Sequence, residues 1–184
     1  MRTTVLLADD NSILTESLAH FLGQHFEVVG IARDGLEMVT AAEHHRPHVI
    51  VAGISIPKLN GIDAARIVRE VVRRTRILFL TMHNDPALIE QALRAGANGV
   101  VLKAGSAGEV LGAIKAVARG ETYITPLIAG DLTSRLTKRS QEVSRRTQLT
   151  VRQRQLPRLV SQGRTMKDAV VVMGISARTA KSHK

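Results

Sequence analysis

The stretch that decides the fold is VIVAGISIPKLNGIDA, residues 49–64. Its first four residues are apolar without alternating polar residues, which is typical of a strand buried on both faces of a parallel sheet. A loop with Pro and Gly follows, and a helical pattern begins at Ile62. In an α/β protein, reactive side chains gather at the carboxyl end of such a strand. Here that position is Gly53, which has no side chain.

Four further apolar runs predict strands of the same kind, at Thr4–Ala8, Phe26–Ala32, Ile77–Met82 and Gly99–Leu102. Amphipathic patterns between and after the strands predict helices around Ile13–Leu22 and over Leu36–His45, Ile62–Val72, Pro86–Ala95 and Ala107–Ala118. Five strand–helix units within about 120 residues favour a doubly wound, five-stranded parallel sheet with helices on both faces. The expected fold class is therefore α/β.

Composition divides the chain into two parts. The 184 residues carry a net charge of +10, and residues 131–184 hold 13 of the 26 basic residues but only three of the 16 acidic ones. This imbalance predicts a polyanion-binding module at the basic end, with a solubilising tail as the alternative. Cysteine is absent, which excludes disulfide and thiolate chemistry. No stretch reaches the roughly 18 apolar residues of a membrane span, so we expect a cytoplasmic protein without membrane contact.

Polar side chains follow three of the predicted strands. Asp9 and Asp10 follow the first, Thr81 ends the fourth, and Lys103 follows the fifth, whereas the third offers Gly53. The carboxyl ends of parallel strands meet at one edge, so these residues are expected to lie together. Paired carboxylates suit Mg²⁺, and a lysine and a threonine hydroxyl can contact an anion.

Four motifs resemble the receiver domain of bacterial two-component response regulators, which has a flavodoxin-like fold. They are LLADD, SIPKLNGIDA, LFLTMH and GANGVVLK, and the resemblance covers residues 1 to about 120. In that family an aspartate after the third strand accepts a phosphoryl group, Mg²⁺ bridges it to the acid pair, and the Thr and Lys contact the phosphate. The matching position is Gly53, which supplies no carboxylate nucleophile. Val100 stands where the family usually has an aromatic residue that turns inward.

Three readings of Gly53 remain open: a receiver that works without phosphorylation, a change in an otherwise ordinary receiver, and an eroded protein. The resemblance carries over Asp9, Asp10, Thr81 and Lys103 as a vestigial pocket. We expect no required cofactor and weak Mg²⁺ binding at best, through Asp9 and Asp10. As the alternative to a metal site, the acid pair persists as the partner of Lys103, which compensates its charge.

The basic end resembles the LuxR-type (NarL/FixJ family) helix-turn-helix domain, in the pattern from LTVRQ to GISARTAKSHK. The expected domains are a receiver over 1–122, a linker helix and hinge over 123–147, and an all-α DNA-binding domain over 148–184. Pro157 in a helix and the chain end at Lys184 predict a weakened, incomplete domain. The resemblance implies a DNA-contacting set: Thr165, Lys167, Arg178, Thr179, Lys181, Ser182, His183 and Lys184.

The sequence thus predicts a DNA-binding transcriptional response regulator that is not phosphorylated on aspartate. Homodimerisation or partner binding would control it, and a sensor kinase or another regulator is a possible partner. The alternative is an interaction module whose helix-turn-helix does not bind DNA. An enzyme is not expected, since a phosphatase using Asp9 or Asp10 would lack a second acid placed for catalysis.

Overall fold

The computed structural model describes residues 2–130. It contains a parallel sheet whose strands lie in the order β2-β1-β3-β4-β5-β6. The strands are β1 Thr4–Ala8, β2 Glu27–Ala32, β3 Val49–Gly53, β4 Arg76–Thr81, β5 Gly99–Leu102 and β6 Tyr123–Ile124. The helices are α1 Ser12–Gly23, α2 Gly35–His45, α3 Gly61–Val71, α4 Pro86–Arg94 and α5 Ala107–Arg119. The predicted α/β fold class is confirmed, with a sixth, two-residue strand added to the expected five.

Two apolar layers hold the helices against the sheet. One layer contains side chains of α2, α3 and α4, such as Met38, Val68 and Ile89. The other contains side chains of α1 and α5, such as Leu22 and Ile114. Helices therefore cover both faces, which explains why the strands are apolar without alternation.

Short polar side chains start all five of these helices. The caps are Asn11, Asp34, Asn60, Asp85 and Ser106, and each accepts a hydrogen bond from a backbone N–H in the first turn. At the first helix, where both Asn11 and its neighbour Ser12 could cap, Asn11 does so: its Oδ1 lies 3.1 Å from the Leu14 nitrogen. These caps place the strand–helix turns, and with them the side chains after the strands.

The sheet continues past residue 122, where the linker was expected to begin. Tyr123–Ile124 pairs with β5, and the Thr125 nitrogen donates to the Val100 carbonyl at 3.0 Å. Ile128 is fully buried in the layer with α4. Two residues are too few to show a strand period, so the sequence pattern does not separate this strand from a linker.

A carboxylate on α5 fastens this last strand. Glu109 Oε1 accepts hydrogen bonds from the Thr125 hydroxyl at 2.7 Å and the Tyr123 hydroxyl at 3.3 Å. Burial, and after it the negative charge of Glu109, raises the pKa of Tyr123, because both disfavour the phenolate. Two hydroxyl groups therefore tie the end of the sheet to the first turn of α5.

The predicted helix-turn-helix over 148–184, its eight DNA-contacting residues and most of the predicted linker lie outside the described residues. Within residues 2–130, no helix is long and apolar enough to span a membrane.

Candidate functional site

The predicted constellation lies at the carboxyl edge of the sheet. A cavity of about 510 Å³ opens there, and Asp10, Thr81 and Lys103 all contribute to its lining. Ser55 and His83 line it as well. His83 ends the LFLTMH motif but was not predicted as a site residue. Asp10 is exposed, whereas Asp9 and Gly53 are buried and do not line this cavity.

The buried carboxylate of Asp9 fills the space beside Gly53. A Cβ added to Gly53 would overlap Asp9 Oδ2 and would lie 3.0 Å from Ile56 Cγ2. Asp9 Oδ1 accepts a hydrogen bond from the Asn11 nitrogen at 3.1 Å, which orients the carboxylate. Gly53 is therefore more than a missing side chain, because a neighbouring carboxylate occupies the volume that a side chain would need.

Lys103 supplies the positive charge that the buried carboxylate requires. Its Nζ lies 2.5 Å from Asp9 Oδ2, and the two side chains are 14% and 3% exposed. Asp9 Oδ2 has no hydrogen bond of ordinary geometry within residues 2–130, so the ammonium is its charge partner there. An unpaired buried charge is costly, which favours this pairing. The expected pairing of the acids with Lys103 holds for Asp9, whereas Asp10 forms no ion pair with the described residues.

Gly61 allows the segment after β3 to fold back onto Gly53. A Cβ at Gly61 would collide with the carbonyl oxygen of Gly53, and the Gly61 nitrogen donates to the Ile54 carbonyl at 2.8 Å. The start of α3 is thereby packed against the end of β3. Backbone atoms make this close approach, and they cannot rotate away as a side chain can.

The hydroxyl of Thr81 is engaged within its own loop. It donates to the His83 carbonyl at 3.0 Å and accepts from the His83 nitrogen at 3.2 Å. Thr81 is 4% exposed. In this arrangement its hydroxyl shapes the loop after β4.

Val100 lies fully buried in β5, between Phe79 of β4 and Ile124 of β6 in the strand register. An aliphatic side chain of this size packs in place and has no polar end to present to solvent. A packing residue therefore occupies the position at which the family usually has an aromatic residue that turns inward.

The donor set at this edge does not fit a strong Mg²⁺ site. Magnesium requires about six oxygen ligands in octahedral geometry, with carboxylates among them. Here the Asp9 carboxylate contacts the Lys103 ammonium, and the Asp10 carboxylate is exposed without an ion-pair partner among the described residues. No group of three or more His, Cys, Asp or Glu side chains suited to a metal occurs within residues 2–130.

A second ion pair, which the sequence does not predict, holds the loop after β3. Lys58 Nζ lies 2.5 Å from Asp34 Oδ2, and Asp34 also caps α2. The hydrogen bond from Lys58, followed by that from the Glu37 nitrogen, lowers the pKa of Asp34. The hydrogen bond to Asp34 and its charge raise the pKa of Lys58. Nothing in the local pattern indicates this pair, because 24 positions separate its members.

Comparison with known proteins gives one family and several relatives. Residues 5–115 match the family model described as the response regulator receiver domain. The transcriptional regulatory protein UhpA of Escherichia coli (strain K12) is 32% identical over 183 residues, which cover 98% of this chain and 87% of that protein. The transcriptional regulatory protein MctR of Rhizobium johnstonii is 33% identical over 185 residues, covering 98% of this chain and 83% of that protein.

A solved structure has a similar fold. The crystal structure of a two-component response regulator of the LuxR family from Aurantimonas sp. SI85-9A1 superposes with a TM-score of 0.71 at 29% identity. The match covers 74% of this chain and 99% of that chain.

Proposed function

The chain belongs to the family of response regulator receiver domains, and we propose that it is a transcriptional response regulator whose receiver acts without aspartyl phosphorylation. The observation that carries this proposal is the contact between Gly53 and the Asp9–Lys103 ion pair. Aspartyl phosphate requires a carboxylate nucleophile at the end of β3, and Gly53 has none. Ser55 is two residues further on and exposed, so it does not replace that carboxylate.

Lys103 already has an anionic partner in the unmodified protein. In the receiver family, the corresponding lysine contacts the phosphate. Here the Asp9 carboxylate lies within 2.5 Å of the ammonium without any modification. We infer that the Asp9–Lys103 pair keeps the charges at the carboxyl edge in one arrangement. The activity of the regulator would then be controlled by homodimerisation or by binding a partner. A sensor kinase would then be a binding partner at most, with no residue to phosphorylate at position 53.

The transcriptional part of the proposal rests on the relatives and on charge. Two transcriptional regulatory proteins resemble this chain over 98% of its length. The excess positive charge lies wholly within residues 131–184, where phosphates of double-stranded DNA would be bound. Such a regulator would act in the cytoplasm, where its DNA is found. An interaction module that does not bind DNA is the alternative outcome of the tests below.

Acetyl phosphate with Mg²⁺ tests the phosphorylation claim. The full chain is incubated with both, and intact mass and hydroxylamine sensitivity report any acyl phosphate. A receiver that retains its acceptor aspartate serves as the positive control. We expect the control to be modified and this chain to remain unmodified. A stable, hydroxylamine-sensitive adduct within residues 1–122 would contradict the proposal.

A salt series tests DNA binding. Fluorescence anisotropy with duplex DNA should show an affinity that falls as the salt concentration rises, because bound phosphates release counterions. Lys181→Ala should weaken binding, whereas Lys115→Ala, which removes the same charge from an exposed site on α5, should not. If binding and its salt dependence are both absent, the interaction module is the better description.

Two expected absences have tests of their own. A Mg²⁺ titration followed by thermal unfolding should give only a small stabilisation at millimolar metal, because the site has no set of three carboxylates. Turnover of a phosphate ester that disappears in Asp10→Asn would revive the enzyme hypothesis.

A further inference from the structure

A second cavity, also of about 510 Å³, lies at the amino-terminal edge of the sheet, opposite the Asp9–Lys103 pair. Its charged lining is entirely basic. The lining residues are His48, Arg69, Arg73, Arg74, Thr75, Arg76, Asn98 and Ala118. We call this cavity the arginine pocket. No Asp or Glu side chain among the described residues lines it.

Two of the four arginines lie close to glycines. Arg69 Nη1 donates to the Gly96 carbonyl at 3.3 Å, and a Cβ at Gly96 would lie 2.6 Å from Arg69 Cδ. A Cβ at Gly120 would lie 3.2 Å from Arg76 Nη2. Both glycines have positive φ, near +93° and +97°, which other residues adopt at a cost. The hydrogen bond to Gly96 orients the Arg69 guanidinium before any ligand arrives, which lowers the entropic cost of binding.

Two further side chains present hydrogen-bond donors at the pocket. His48 Nδ1 accepts from the Thr4 nitrogen at 3.1 Å, so the ring proton of the neutral form lies on Nε2. Asn98 Oδ1 accepts from the Ile77 nitrogen at 3.0 Å, which leaves its amide NH₂ as the end with donors. Donors thus dominate the polar lining.

The arginines are not explained by local pairing. None of the four forms an ion pair with residues 2–130, although other arginines on the same sheet domain do. The dipole of α3 favours a cation in its last turn, which accounts for Arg69. It does not account for Arg76, which lies on β4 beside Gly120. Clustered like charges repel, so an anion would stabilise this arrangement.

We propose that the arginine pocket binds a ligand carrying two or more phosphate groups. Arginine forks bind phosphate oxygens in a bidentate manner, and four of them can engage more than one phosphate. The volume is within the usual range for small-molecule sites. A free polyphosphate and the backbone of duplex DNA share this chemistry. The pocket lies at the opposite edge of the sheet from the Asp9–Lys103 pair.

Titration of the full chain with sodium tripolyphosphate tests this proposal. Two-dimensional NMR should show shifts of the Gly96, Asn98 and Gly120 amides that saturate, and those shifts separate the pocket from binding elsewhere in the basic chain. The double variant Arg69→Ala/Arg76→Ala should weaken that binding at least tenfold. The matched control Arg66→Ala/Arg94→Ala removes two arginines that are paired outside the pocket, and it should keep the affinity.

Absence of saturable shifts at these amides, or an equal loss in the control, would overturn the proposal. If the double variant does not fold, Arg74→Ala replaces it, since Arg74 is exposed and makes no hydrogen bond or ion pair within residues 2–130. A parallel titration with short duplex DNA identifies the source of the phosphates. Shifts of the same amides by DNA at lower phosphate concentration point to the nucleic acid backbone, and shifts by tripolyphosphate alone point to a small ligand.

Discussion

Two lysine–aspartate pairs flank the segment that contains Gly53, and both have an N–O distance of 2.5 Å. Their surroundings differ. Lys103 is 14% exposed and Asp9 3%, whereas Lys58 is 60% exposed and Asp34 5%. In the first pair both charges are largely removed from water, so each depends more strongly on the other. In the second, water still solvates the lysine and screens the attraction.

The comparison shows that contact distance alone does not rank these pairs. We attribute the energetic rank to burial. Each carboxylate keeps one backbone hydrogen bond without its lysine, because Asp34 accepts from the Glu37 nitrogen and Asp9 accepts from the Asn11 nitrogen. Asp9 Oδ2 has Lys103 as its partner and lies against Gly53. The buried pair therefore depends on the glycine, and the exposed pair does not.

The largest effect is expected when the buried pair is broken. Lys103→Met should lower the free energy of unfolding by about 3 kcal/mol, because it leaves the Asp9 carboxylate without a cation in the interior. Urea unfolding monitored by circular dichroism measures the change. The double variant Asp9→Asn/Lys103→Met removes both charges and should recover most of the loss. Equal destabilisation by Lys103→Met and Lys58→Met would break the comparison.

An intermediate effect is expected when the space beside Gly53 is filled. Gly53→Ala should destabilise the protein by about 2 kcal/mol, because the new methyl group displaces the paired carboxylate of Asp9. Gly112→Ala is the matched control: Gly112 lies within α5 and a Cβ there meets nothing within 4 Å. That control should stabilise the protein by about 1 kcal/mol. If Gly53→Ala also raised the free energy of unfolding, the Asp9 carboxylate would be able to move aside without cost.

The smallest effect is expected at the exposed pair. Lys58→Met should reduce stability less than either variant above, because solvent screens the lysine and Asp34 retains its cap hydrogen bond. The same urea titration measures it. If Lys58→Met lowered the free energy of unfolding as much as Lys103→Met, the contribution of an ion pair would not be set by its burial.

The stability difference between wild type and Lys58→Met should depend on pH. The pKa of Asp34 is lowered from 3.8, so its contribution is present above that value and is lost as pH falls through the folded-state value. The pKa of Lys58 is raised from 10.5, so its contribution is present below that value and is lost as pH rises further. The difference between wild type and Lys58→Met should therefore shrink from pH 7 to pH 3. Growth of the difference on acidification would contradict this assignment.

Sequence reasoning located the residues at the carboxyl edge but not all of their contacts. Asp10, Thr81 and Lys103 line one cavity, as the strand ends predicted. The engagement of Thr81 with His83 was not foreseen, because it depends on how the loop after β4 turns. The last strand was assigned to a linker, because two paired residues leave no periodic signal.

The sequence by itself determined the α/β fold, the strand ends and the absence of a carboxylate at position 53, because periodicity and residue identity are local properties. Only the tertiary structure decided what occupies the space beside Gly53. Asp9 and Lys103 are 94 positions apart, and their pairing depends on the order of strands in the sheet. The arginine pocket arose in the same way, from the end of α3, the start of β4 and two distant glycine turns. Burial and packing bring such groups together, and neither can be read from the chain one segment at a time.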